Sequence, residues 1–97
     1  MNRADILDSA KKIVLGHREQ EYGSQENNFG LIADLWSTYI NYKVTPVDVA
    51  MMMALLKIAR IRSGNAVDDS FVDLAGYAAC GGEINSLNST KENNKDG

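Results

Sequence analysis

The chain is predicted to be all-α, a compact four-helix bundle-like domain with a polar first loop and a disordered C-terminal tail. Three observations predict this. Apolar residues recur three and four apart along four successive stretches, helix-starting and helix-stopping residues bracket those stretches, and the last dozen residues carry almost no apolar side chains.

The first helix is expected over roughly Arg3 to Leu15. Asn2 is placed to cap it, with Asp5 three residues on, and Ile6, Leu7, Ala10, Ile13 and Val14 repeat at helical spacing until Gly16. His17 follows that stop as a cation suited to the last carbonyls. From His17 to Asn28 polar and charged residues dominate with no apolar period, so this stretch reads as a loop facing water or a ligand. Ser24 or Asn27 starts the second helix, whose stripe is Phe29, Ile32, Trp36, Tyr39 and Ile40 and whose end lies near Tyr42.

The third helix has the clearest start. Thr45 caps it, Pro46 presets the first backbone angle, and Asp48 completes a capping box and places a negative charge at the positive helix end. From Val47 to Ile61 it is apolar on almost every side, which predicts a central helix or a subunit contact; Met51, Met52 and Met53 suit the filling of irregular gaps. Arg62, Ser63, Gly64 and Asn65 close it. The fourth helix is expected after Asp68, Asp69 and Ser70, carrying Phe71, Val72, Leu74, Ala75, Ala78 and Ile84. Gly76, Gly81 and Gly82 in it point to close approach of another helix or a ligand, or, for the last two, to a weak helix end. The organisation is therefore a helical domain over 1–84 and a tail over 85–97, rich in Asn, Ser, Lys and Asp.

Composition bounds the function. With 97 residues, 44% hydrophobic and 24% charged, this is one small domain, and no stretch approaches the ~18 apolar residues of a membrane span. A monomer of this size buries only about two thirds of its unfolded surface, so a homo-oligomer is expected. The net charge of -3 argues against duplex nucleic acid as a partner while permitting a local cationic pocket. The single Cys80 cannot form an internal disulfide and is expected to pack as a small apolar group; no secretory pattern opens the chain, which points to the cytoplasm, that of a host cell if the protein is phage-encoded.

The candidate site lies where the third and fourth helices meet. A short Arg62 to Val67 connection makes them antiparallel neighbours, and Lys57 and Arg60 stand about as far before the turn as Asp69 and Asp73 stand after it. One account is an Arg60–Asp73 ion pair that only sets register. The other adds Tyr77, one turn beyond Asp73 on the same face: cations for phosphate, carboxylates for a metal or hydroxyls, and an aromatic ring for a base.

The segments Tyr22-Gly23-Ser24, Asn28-Phe29, Lys57-Ile58-Ala59-Arg60 and Asp69-Ser70-Phe71-Val72-Asp73-Leu74-Ala75-Gly76-Tyr77-Ala78 resemble a family of small uncharacterised proteins of tailed phages and prophages. They are also similar to the phage nucleotide-modification-associated domain and, more distantly, to the all-α MazG-like NTP pyrophosphatases. That last resemblance implies an oligomeric helical bundle that binds a nucleoside triphosphate through Mg²⁺ on two clusters of carboxylates. Asp69 and Asp73 match the second cluster. The first has no counterpart, since Glu26 and Asp34 are eight apart and Glu19 and Glu21 lie in the loop.

Three functions follow from this. In a non-catalytic binder of a nucleotide or cyclic nucleotide, Lys57 and Arg60 contact phosphates, Asp69 and Asp73 orient the cations or accept from ribose, and Tyr22, Trp36 or Tyr77 stacks on a base; in a phage such a protein would sequester a signalling nucleotide against host defence. A Mg²⁺-dependent hydrolase would use Asp69, Asp73 and Glu26, or Glu21, as metal ligands. An interaction protein with no small ligand would use the charges for assembly alone.

Overall fold

A computed structural model of the chain describes residues 1–16 and 25–96, with side-chain surroundings for 1–16 and 28–89. Four helices follow one another without a strand among those residues: α1 (Arg3–Leu15), α2 (Gln25–Ile40), α3 (Pro46–Ser63) and α4 (Val67–Asp96). The fold is all-α, as the periodicity predicts.

The starts of α1 and α3 follow their capping residues. The Asn2 side chain accepts the Asp5 amide at 2.8 Å and Asp5 accepts the Asn2 amide at 3.1 Å. Thr45 and Asp48 repeat the exchange at 3.1 and 2.9 Å, with Pro46 as the first residue of α3. Between α2 and α3 the chain turns at Asn41, which adopts a left-handed φ of 55°. The Ser37 hydroxyl then accepts the Val44 amide at 2.8 Å and donates to the Val44 carbonyl at 3.2 Å, which fixes buried Val44 beneath the corner. This corner ends α2 at Ile40, two residues before the expected Tyr42.

At the far end of α3, Gly64 has φ 82° and its amide reaches the Ile61 carbonyl at 3.1 Å. An L side chain would be strained there, which is why glycine closes this helix. The start of α4 differs from expectation: it begins at Val67, so Asp68 and Asp69 lie inside its first turn and Ser70 is already helical and buried. Acidic residues complement the positive end of a helix as well as they populate loops, and here the first role prevails. Nor does α4 stop at Gly81 or Gly82. Its backbone stays helical to Asp96, although the last buried side chain among the described residues is Ile84 and residues 85–89 are all exposed.

The core is Phe29 and Ala33 of α2, Val44 of the corner, Val49 of α3, and Cys80 and Ile84 of α4, with Val14, Trp36, Met53 and Tyr77 among the side chains packed around it. Helix α4 is the hub, lying against both α3 and α1, while α2 covers α3 from another side. Cys80 is buried there, as a small apolar side chain would be. The expectation that protein surrounds α3 fails within one chain. Val49 and Ala50 are sealed, but Met51, Met52, Leu55, Leu56 and Ile58 are exposed, because α2 and α4 together leave part of the helix surface uncovered. Of the three methionines, only Met53 packs against the core.

The paired glycines of α4 differ in their surroundings. A Cβ at Gly81 would meet Ala50 Cβ at 3.1 Å, whereas one at Gly82 would meet nothing within 4 Å. Gly82→Ala is therefore expected to stabilise the protein by about 0.5–1 kcal/mol, since alanine restricts the unfolded chain and costs nothing in the helix. A thermal melt should rise by roughly 2–8 °C; a fall would show that this position is not open.

Candidate functional site

The α3–α4 seam brings two of the four predicted charges together and chooses a different pairing. Lys57 Nζ lies 3.0 Å from Asp73 Oδ2, with the two side chains 18% and 30% exposed. Sequence spacing alone puts Arg60 opposite Asp73. Position 57 falls among Ala50, Ala54 and Ile61, on the side of α3 that meets α4, while position 60 follows the Val49–Met53 row past its buried part, so Lys57 takes the carboxylate and Arg60 is exposed. The pair is intermediate between surface and buried bridges and contributes about 1 kcal/mol.

The next level of the seam, toward the turn, is differently arranged. Asp69 is one turn before Asp73 on the same face, and Arg60 is nearly one turn after Lys57, yet both are exposed and no ion pair joins either among the described residues. The seam thus holds one closed charge pair, and nearer the turn a cation of α3 and a carboxylate of α4 each face water. Buried Ser70 lies next to Asp69 at the same level.

On the other side of the closed pair, Tyr77 continues the Asp69–Asp73 line by another turn. Its ring stands edge-on to Phe29, with centroids 6.3 Å apart and planes at 66°, so Phe29 holds Tyr77 from behind and leaves it half-buried. Trp36 is half-buried and packs on the same core from α2. Tyr22 lies outside the described residues, as do His17, Glu19, Glu21, Gly23 and Ser24, and nothing is described around the side chain of Glu26. Among the described residues no three His, Cys, Asp or Glu side chains come together as a metal set, and Asp73 engages one oxygen with Lys57.

Two features escape a reading of the sequence. Ser70 has the position of a capping residue because it follows two aspartates, and only its place three residues before Asp73 hints that it turns inward. Phe29 is legible as core but not as the support of Tyr77, since the contact joins residues 48 positions apart.

Residues 5–85 match the protein family described as "Domain of unknown function (DUF6378)". The chain belongs to the DUF6378 family. The matched span contains every candidate residue from Tyr22 to Tyr77. Among curated proteins, the DUF6378 chain is 43% identical over 75 residues to the Gene 55 protein of Mycobacterium phage D29, a match covering 77% of this chain and 50% of the relative. It is 47% identical over 74 residues to the Gene 55 protein of Mycobacterium phage L5, covering 75% and 47% respectively. The relatives are phage proteins, which supports the resemblance to small uncharacterised phage proteins at that level, and the DUF6378 chain spans about half the length of each. No solved structure matches.

Chemically, the DUF6378 seam offers an exposed guanidinium for an oxyanion, a carboxylate able to accept from hydroxyls, and a supported aromatic ring two turns away along α4. No helix of the described residues is long and apolar enough to cross a membrane.

Proposed function

We propose that this DUF6378 chain binds a nucleotide, linear or cyclic, along the α3–α4 seam and does not turn it over. The observation that carries the reading is the water-facing Arg60 and Asp69 beside the closed Lys57–Asp73 pair. Arg60 contacts a phosphate through its guanidinium, while Lys57, held by Asp73, fixes the seam one turn away. Asp69 accepts from a ribose hydroxyl, and Tyr77 or Trp36 stacks on a base. Binding without turnover needs no carboxylate cluster, and in a phage it would serve to sequester a host signalling nucleotide and blunt a defence response. A Mg²⁺-dependent hydrolase of the MazG-like type would need a third carboxylate beside Asp69 and Asp73, for which Glu26 is the candidate.

Thermal denaturation against a panel of linear and cyclic nucleotides tests this. A ligand at a hundredfold excess over its Kd stabilises by about 2.7 kcal/mol, a rise of roughly 10 °C or more. Arg60→Ala is expected to remove that rise while shifting the ligand-free midpoint by no more than about 2–4 °C, because the side chain is exposed. Release of pyrophosphate in the presence of Mg²⁺ would replace the binder with the hydrolase. If no nucleotide shifts the midpoint, the site reading fails and the protein acts through protein contacts alone.

A further inference from the structure

The outward face of α3 is apolar along its middle turns. Leu55 is 64% and Leu56 50% exposed, and Met51, Met52 and Ile58 are each 43% exposed; Ala59 lies among them and is also exposed. On a helical wheel, Leu55, Met52, Ile58 and Ala59 share one surface on the far side from Ala50 and Lys57, with Met51 at one edge, its Cε toward Gly81 of α4, and Leu56 at the other, beside the Val49 row. Water faces a strip that has the pattern of a packing interface.

Charge says what covers it. Asp48 and Arg62 bound the strip, each seven residues from Leu55 in opposite directions, and both are exposed on its side of the helix. If two copies of α3 cross antiparallel with Leu55 at the two-fold axis, Asp48 of each copy lies opposite Arg62 of the other, and the Met51–Met52 layer meets the Ile58–Ala59 layer. A parallel arrangement would instead set aspartate on aspartate and arginine on arginine.

We infer that a second copy of this chain docks on the outer face of α3, forming an antiparallel two-fold dimer centred on Leu55 and bounded by two Asp48–Arg62 pairs. The interface leaves the seam free, because Lys57 and Asp73 lie toward α4, on the opposite side of α3. Dimerisation and nucleotide binding are thus separate properties, and either can fail without the other.

Sedimentation velocity of the full chain over a range of about 5–200 µM should show a monomer–dimer equilibrium. Leu55→Glu places two carboxylates face to face at the axis and should raise the dissociation constant about 30-fold or more, with helical circular dichroism unchanged. Asp48→Lys and Arg62→Glu should each weaken self-association about 10-fold by creating two like-charge contacts. Mixing those two variants should restore association. The mixed dimer contains one native Asp48–Arg62 contact and one contact between the two substituted positions, where the charges are again opposite but exchanged. The mixture also controls for the helix cap that Asp48→Lys removes, since the same chains are present in both samples. A wild-type monomer throughout the range, a Leu55→Glu dimer as tight as wild type, an assembly larger than two, or a mixture no tighter than its components would each overturn the inference.

Discussion

Replacing Phe29 with alanine is expected to lower the stability of the fold by about 3–5 kcal/mol, the usual cost of emptying an aromatic-sized space in a core. Phe29 is 6% exposed and stands among Ala33, Val44, Val49, Cys80 and Ile84, where α2, α3 and α4 converge. A domain of this length has only about 5–15 kcal/mol in total, so the variant should sit near the edge of folding at body temperature. The melting midpoint should fall by at least about 12 °C. The loss has two parts. One is the transfer and cavity cost, which Phe29→Leu should restore in large measure. The other is the edge-on contact with Tyr77, worth about 0.5–1.5 kcal/mol beyond area, which leucine cannot supply. A fall below about 1 kcal/mol for Phe29→Ala would mean that α2 does not close the core as described.

Gly81→Leu should be the next most damaging change, by about 2–3 kcal/mol through overpacking. A Cβ at Gly81 already meets Met51 Cε at 3.0 Å and Ala50 Cβ at 3.1 Å. Met51 is partly exposed and can swing its thioether aside, but Ala50 is sealed and its Cβ moves only with the backbone of α3. The first added carbon is therefore nearly tolerable, and Gly81→Ala should be close to neutral as helix propensity offsets crowding. The larger side chain must push α3 away from α4. Since Lys57 and Asp73 belong to the same seam, the proposed nucleotide binding should weaken along with stability. Equilibrium denaturation of Gly81→Leu beside Gly82→Ala should show adjacent glycines responding in opposite directions. Equal responses would remove the close approach of α3 and α4 at Ala50.

Local chemistry makes much of the architecture legible. Asn2 with Asp5, Thr45 with Pro46 and Asp48, and Gly64 each act on backbone groups within four residues, so their helix boundaries can be read from composition alone. What the sequence leaves ambiguous depends on direction rather than type. Asp68 and Asp69 suit a loop and a helix N-terminus equally, and only the turn at Ala66 decides between them. Likewise, Lys57 and Arg60 are three apart on α3, so both are within plausible reach of Asp73. The side of the helix that α4 covers selects Lys57, and that is a property of packing. The all-round apolar character of α3 is visible in the residues, whereas its bare outer face follows only once α2 and α4 have taken their places.

The position of α1 has a consequence for how the chain is made. Its main packing partner is α4, whose first residue comes 52 positions after the last residue of α1. A lone helix of 13 residues is marginal in water, so α1 gains lasting shelter only after α4 has left the ribosome, by which time the Ser37–Val44 corner can already have joined α2 to α3. Synthesis thus leaves α1 waiting for α4, and a chain cut before Val67 and freed from the ribosome would hold α2 beside α3 with α1 still undocked.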